Sequence, residues 1–173
     1  NEALLIRTLR AQPNMLHACA VLAHNQTYEH PQCYGPHHWF SHNEKFWVCH
    51  TRPSGTPLLH TDFRSELTHT DLLALWLPLA QTLALRHQRG MVHGKICPWT
   101  VWFDPTKKLL TAIDAGCWIG DMHTTSSSVH QQEKAFLAPE LSLSEQRYTP
   151  NPLVDIYGLA RLLLFLFRRT HQN

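Results

Sequence analysis

The stretch Gly90-Met91-Val92-His93-Gly94-Lys95-Ile96-Cys97-Pro98-Trp99-Thr100-Val101-Trp102-Phe103-Asp104, followed shortly by Ile113-Asp114-Ala115-Gly116, decides how the rest of the chain is read. Gly90 ends a helix, since glycine enters the left-handed conformation of a helix C-terminus without steric cost. Residues 93–100 make a tight loop, and Val101–Phe103 is an apolar run. Asp104-Pro105 turns the chain into a second apolar run that ends at Asp114.

Upstream of this stretch, Thr70-Asp71 opens a helix predicted over 70–89. Its apolar positions Leu72, Trp76, Leu79 and Leu83 share one face, and Pro78 removes a backbone hydrogen bond in its middle. Residues 1–12 are helix formers with apolar Leu5, Ile6 and Leu9, closed by Pro13-Asn14, and predict a helix. Residues 15–22 read as a strand, and 45–50 as its antiparallel partner. The Pro/Gly/His segment between them is too polar and broken for either regular element. His30, Cys33, His37, His38 and His42 in that segment have the ligand types of a zinc site. In a chain with 14 His the plainer reading is a surface loop, and no metal is expected.

Downstream, 121–132 is a polar loop containing Thr124-Thr125-Ser126-Ser127-Ser128, read as a solvated loop rather than a phosphorylation site. It ends at Phe136-Leu137-Ala138-Pro139-Glu140-Leu141. Val154-Asp155-Ile156-Tyr157-Gly158-Leu159-Ala160 then opens a helix over about 155–168, whose run Leu162–Phe167 is apolar all round and predicts burial. A carboxylate such as Asp155 at the start of a buried helix needs hydrogen-bond donors, expected among the backbone amides near His93 and Gly94.

In order and spacing, these segments resemble the protein kinases, whose catalytic loop reads His-Arg-Asp-Leu-x-x-x-x-Asn and whose magnesium loop reads Asp-Phe-Gly. His93 keeps its place; Arg becomes Gly94, the catalytic Asp becomes Lys95, Asn becomes Thr100, and Asp-Phe-Gly becomes Asp114-Ala115-Gly116. Ala138-Pro139-Glu140 is similar to the Ala-Pro-Glu that closes the activation segment, and 51–57 is similar to the hinge between the lobes. The resemblance implies an α+β fold, with a mainly helical C-lobe and a partial, small antiparallel-sheet N-lobe. It implies a single kinase-like domain over 1–173, with about 1–52 as partial N-lobe and hinge and 53–173 as C-lobe. In that frame residues 1–12 stand for the regulatory helix, with Glu2 in place of the Glu that pairs with a strand lysine. The glycine-rich loop and that lysine would then precede residue 1.

The same alignment implies lost chemistry. Phosphoryl transfer needs a carboxylate to receive the substrate hydroxyl's proton, and Lys95 is a cation. Thr100 offers a hydroxyl where Asn offers a carbonyl oxygen to magnesium, leaving Asp114 as one carboxylate without helpers. Trp102 falls where a medium aliphatic side chain underlies adenine. It is a plug in the nucleotide cleft, a stacking platform for another planar ligand, or ordinary core. Gly94 removes the Arg that would pair with a phosphorylated loop, and Ala115 removes a stacked Phe.

Composition narrows the classes further. At 173 residues with 43% apolar residues and six Trp, the chain can fill one core. A net charge of +2 without a dense basic run argues against nucleic acid, and no apolar run approaches the ~20 residues of a membrane span. Five scattered cysteines and no signal peptide predict a soluble protein in the cytoplasm or another reducing intracellular compartment. The leading expectation is a catalytically inactive pseudokinase without a cofactor, acting through protein partners as a scaffold or regulatory module. The competing ones are an atypical enzyme using displaced residues such as Lys95 or Asp114, and a docking domain of a larger assembly.

Overall fold

The computed structural model describes residues 4–9, 30–43, 45–61, 67–113, 135–143 and 151–170. The described residues form two small sheets and two long helices, the second sheet packed on the helices. The first sheet contains β1 (Leu4–Leu9), β3 (His38–His42) and β4 (Lys45–Thr51) in the order β1-β4-β3, antiparallel throughout. The second contains β2 (Cys33–Tyr34), β5 (Thr56–Pro57), β6 (Val101–Asp104) and β7 (Leu109–Ile113) in the order β2-β7-β6-β5. Only the β2–β7 pair is parallel.

The first sheet corrects the reading of the N-terminal third. Leu4–Leu9 is a strand, not part of a helix over 1–12, because pairing with β4 decides its conformation. Its helix propensity is a weak prior that tertiary contacts override. The assignment of this segment to the regulatory helix falls with it; Glu2 itself lies outside the described residues. Since β4 is flanked by β1 and β3, the expected partnership of 45–50 with 15–22 is also replaced, and 15–22 lies outside the described residues. The segment read as unstructured contributes two strands, Cys33–Tyr34 and His38–His42. Its Pro and Gly residues mark the ends of these strands, not their absence.

Helix α1 (His69–His87) begins with a capping box. Asp71 N donates to Thr68 Oγ1 at 3.1 Å, and Thr68 N donates to Asp71 Oδ2 at 2.8 Å. These bonds satisfy orphan donors of the first turn. Leu72, Leu75, Leu79 and Leu83 of α1 are buried against Val101, Phe103 and Leu110 of the second sheet. They also meet Leu159, Leu162 and Leu166 of the last long helix, which follows the short α2 (Pro139–Leu143) and is labelled α3 (Pro152–Thr170). Of the run Leu162–Phe167 expected to be buried all round, Leu162 and Leu166 are buried and Leu164 is not; Leu153 and Ile156, earlier in α3, are exposed too. Leu153, Ile156 and Leu164 remain 59%, 54% and 49% exposed. No described helix is long and apolar enough to cross a membrane.

Two glycines set the close approaches. Gly55, at φ +87°, lies so near the Phe103 carbonyl that a Cβ there would overlap it, which presses the hinge onto β6. Gly158 in α3 brings that helix against the loop that follows Gly90: a Cβ would sit 2.8 Å from the Ile96 carbonyl oxygen. Trp76 Nε1 braces the same region by donating to Leu159 O at 3.0 Å. In an open helix Gly→Ala stabilises by about 1 kcal/mol. At Gly158 the backbone contact reverses that sign, and Gly158→Ala is expected to destabilise by roughly 1–3 kcal/mol, the range for overpacking, as read by urea denaturation.

Candidate functional site

Residues 91–100 leave α1 through Gly90 and fold back under β6 and β7. Gly90 (φ +72°) and Gly94 (φ +85°) adopt the left-handed conformations that bend this path. The loop hangs on Asp155, which is fully buried in the first turn of α3. Asp155 Oδ2 accepts the His93 backbone N–H and Oδ1 accepts that of Gly94, both at 2.8 Å. His87 Nε2, in the last turn of α1, lies 2.8 Å from the same Oδ2. One carboxylate thus joins two helices and a loop.

His93 is fully buried, and its two ring nitrogens have separate roles. Nδ1 accepts from Lys95 N at 3.2 Å, so Nε2 carries the proton and donates to Ile113 O at 2.8 Å. Burial disfavours the charged ring and pushes its pKa down to about 4, against the opposing pull of Asp155. His93 therefore ties the loop to the end of β7, immediately before Asp114. Asp114, Ala115 and Gly116 lie outside the described residues, as does the run 124–128.

Thr100 closes the loop. Its hydroxyl donates to Lys95 O at 2.6 Å and accepts from Cys97 N at 3.1 Å, and the residue is 1% exposed. Its backbone carbonyl accepts Ile113 N at 2.8 Å. Burial raises the Cys97 thiol above its ordinary value, which makes it a poor nucleophile. Lys95 is half-buried beside this ring of bonds.

Trp102 is 7% exposed in the middle of β6, where all four residues are buried. It pairs with Pro57 of the hinge strand on one side and Thr111 on the other. The Arg52 guanidinium lies over its ring, 5.8 Å from the centroid. Among the described residues the buried indole Nε1 has no hydrogen-bond partner.

The remaining sequence candidates lie apart from this site. Ala138, with Leu141, packs on Val154, which attaches α2 to the start of α3, while Pro139 and Glu140 are exposed. His30 and Cys33 meet across a β-bridge, and His30 Nδ1 lies 3.3 Å from Thr82 Oγ1 of α1. Burial pushes the Cys33 thiol up to about 11. His37, His38 and His42 are exposed around β3. Among the described residues no three His, Cys, Asp or Glu side chains are grouped to hold a metal ion.

Sequence reasoning missed His87, Arg86 and Arg52. His87 and Arg86 follow the apolar face of α1 and carried no motif; Arg86 is fully buried, and its charge helps lower the pKa of His30 after burial itself. Arg52 was passed over as an ordinary hinge residue.

Two outcomes are expected from these contacts. Asp155→Ala should cost about 1–3 kcal/mol in a denaturant titration, because it strands buried donors of the loop. Asp155→Asn, which keeps an acceptor oxygen, should cost less. The protonation of His93 gives the second. Because the folded pKa lies below the unfolded value, the unfolded chain takes up the proton first on acidification. The His93 contribution is therefore complete above about pH 6.5 and is lost as the pH falls towards 4, on the order of 3 kcal/mol. His93→Gln should flatten that part of the stability–pH curve.

No protein-family model matches the chain, and no curated protein matches it in sequence. Solved structures do match. The chain is similar to the kinase domain of Mycobacterium tuberculosis PknI, with a TM-score of 0.72 and 19% identity over 96% of this chain and 64% of that one. A cysteine-to-alanine variant of that domain matches with a TM-score of 0.70 and 20% identity, over 95% and 63%. Rad53 1-466 in complex with AMP-PNP matches with a TM-score of 0.69 and 16% identity, over 94% and 40%. The chain spans less than two thirds of the length of each of these proteins. At such identities the likeness concerns the fold alone. The chain has a protein-kinase-like α+β fold, with a small antiparallel sheet beside a helical body.

Proposed function

We propose that this chain is a catalytically inactive kinase-fold module that acts by binding protein partners, as a scaffold or regulator. The observation that carries this reading is the state of the Thr100 hydroxyl. Its single proton goes to Lys95 O, its lone pair receives Cys97 N, and the residue is buried. The group aligned with the family's magnesium-binding Asn is thus spent inside the loop. Lys95, aligned with the catalytic base, adds a positive charge where a carboxylate is required. Trp102 contributes bulk beneath the hinge, and Arg52 covers its outer face.

The strand order revises one part of the comparison. β1 lies beside β4, the strand that runs into the hinge, and its Leu4-Leu5-Ile6-Arg7 is similar to the family's Val-Ala-Ile-Lys. In that frame Arg7, not a residue before the chain's first, stands where the family carries its phosphate-binding lysine. An arginine keeps the charge but not the compact ammonium that contacts phosphate as a point charge. This favours an N-lobe part ending at about residue 52 and a C-lobe part from 53 onward. An intracellular setting goes with the reading, and free Cys33, Cys49 and Cys97 among the described residues accord with it.

Isothermal titration of the chain, and of a version extended at both ends, with ATP and Mg²⁺ tests the proposal. No saturable binding up to the millimolar range is expected, and Lys95→Asp alone should produce no phosphate transfer. Micromolar binding that disappears in Asp114→Ala would overturn the reading in favour of an enzyme with rearranged catalytic residues.

A further inference from the structure

A second polar cluster, apart from the 91–100 loop, fastens the hinge. Ser54 is exposed in the turn between β4 and β5. Its hydroxyl accepts from Lys107 Nζ at 3.2 Å and donates to the Asp104 carboxylate. Asp104 ends β6 and is only 5% exposed. Its Oδ1 also accepts Thr106 N at 2.9 Å and Lys107 N at 3.1 Å. The Lys107 ammonium lies 3.7 Å from Asp104 Oδ2 with its side chain largely in solvent. The two amide bonds come from the turn that follows Asp104, whereas the Ser54 bond crosses to the hinge.

The backbone at this crossing is close but sparsely bonded. Gly55 lies against the Phe103 carbonyl, where no side chain fits. Strand β5 is two residues long, and Pro57 has no N–H to give to the ladder. Beyond it the chain is anchored again, with Leu59 N donating to Pro98 O and Arg169 Nη1 donating to Thr61 O, both at 3.0 Å. The Ser54 cluster therefore governs a short stretch, 54–57, between firmer attachments.

The cluster is open to one kind of change. Asp104 keeps its charge nearly out of water because its neighbours donate to it. A phosphoryl group on Ser54 Oγ removes one of those donors and sets about two negative charges beside the carboxylate. Lys107 is one cation facing water, where its attraction is screened, and it cannot neutralise both anions.

We propose that Ser54, Asp104 and Lys107 form a latch on the hinge, and that phosphorylation of the exposed Ser54 hydroxyl opens it. The donor is ATP, used by a separate protein kinase. The Oγ–P bond forms as the bond from the γ-phosphorus to the β-phosphate oxygen breaks, the hydroxyl proton leaves to a base of that enzyme, and ADP departs. Opening lifts 54–57 from β6 and loosens the first sheet, which joins the hinge at Thr51, from the second. The latch lies outside the 91–100 loop, so it does not depend on whether the cleft takes ATP·Mg²⁺.

Amide hydrogen exchange of the full chain with phosphoserine installed at position 54 tests the latch. The amides to follow are those of 54–56 and of Thr106 and Lys107, which end on Asp104. Ser54→Ala should speed their exchange about threefold, the loss of one ordinary hydrogen bond, and phosphoserine about tenfold more. With Asp104→Asn in the same chain the like charge is gone, and phosphoserine should add less than about threefold. Amides in the middle of α1 should keep their rates. The proposal is overturned if phosphoserine exchanges no faster than Ser54→Ala, or more slowly than the natural chain through capture by Lys107. It is equally overturned if Asp104→Asn leaves the phosphoserine effect intact, or if α1 accelerates as much as the hinge.

Discussion

A single buried carboxylate holds the centre of this molecule. Asp155 has no exposed surface, yet it receives the backbone amides of His93 and Gly94 and contacts His87 Nε2. A carboxylate taken from water at this depth is tolerated only with such a set of partners. The partners come from the end of α1 and from the loop that follows it, so the carboxylate fixes the position of α3 relative to both. Gly158, one turn further along α3, lets the helix come down on Ile96 in the same loop. Asp155 and Gly158 fix two points of the loop, three residues apart, against one helix. The rest of the loop then closes on itself through Thr100 and on β7 through His93.

The second sheet shares the main apolar core with α1 and α3, and backbone contacts fasten its edge strands as well. β2 runs parallel to β7, with Ala112 N donating to Gln32 O, and Thr82 of α1 bonds the Gln32 and His30 side chains. The segment from His30 to Tyr34 therefore belongs to the helical body, and β3 begins only after it. On the other side the hinge is tied down by the Thr56–Phe103 and Pro57–Trp102 pairs.

The helical body was legible in the sequence because its signals are local and physical. The α1 face at Leu72, Leu79 and Leu83, the glycine stop at Gly90 and the turn between β6 and β7 follow from periodicity and from the conformations that Gly and Pro permit. The first sheet was not legible in the same way. Leu4–Leu9 has helix-compatible residues, and only its partner Lys45–Thr51, more than thirty-five residues away, makes it a strand. The α3 stripe at Leu153, Ile156 and Leu164 is a third case: an apolar sequence shows what a helix can bury, not what is present to cover it. Within the site, motif spacing led to His93, Thr100, Trp102 and Asp155. It could not lead to His87 or Arg52, whose importance arises from contacts over 68 residues and across the hinge.

The chemistry of the loop differs from that of its floor in a way that bears on what the site does. In residues 93–100 the polar groups that geometry brings together satisfy one another: His93 uses both ring nitrogens, Thr100 uses both its proton and a lone pair, and the two turn amides end on Asp155. A loop bonded in this way keeps its shape without metal or nucleotide, because no ligand is needed to complete its hydrogen bonds. An active phosphotransfer loop requires the opposite, with oxygen atoms left facing the cleft so that charge can be gathered there. Trp102 departs from the loop's pattern, with a buried indole donor that meets no acceptor among the described residues.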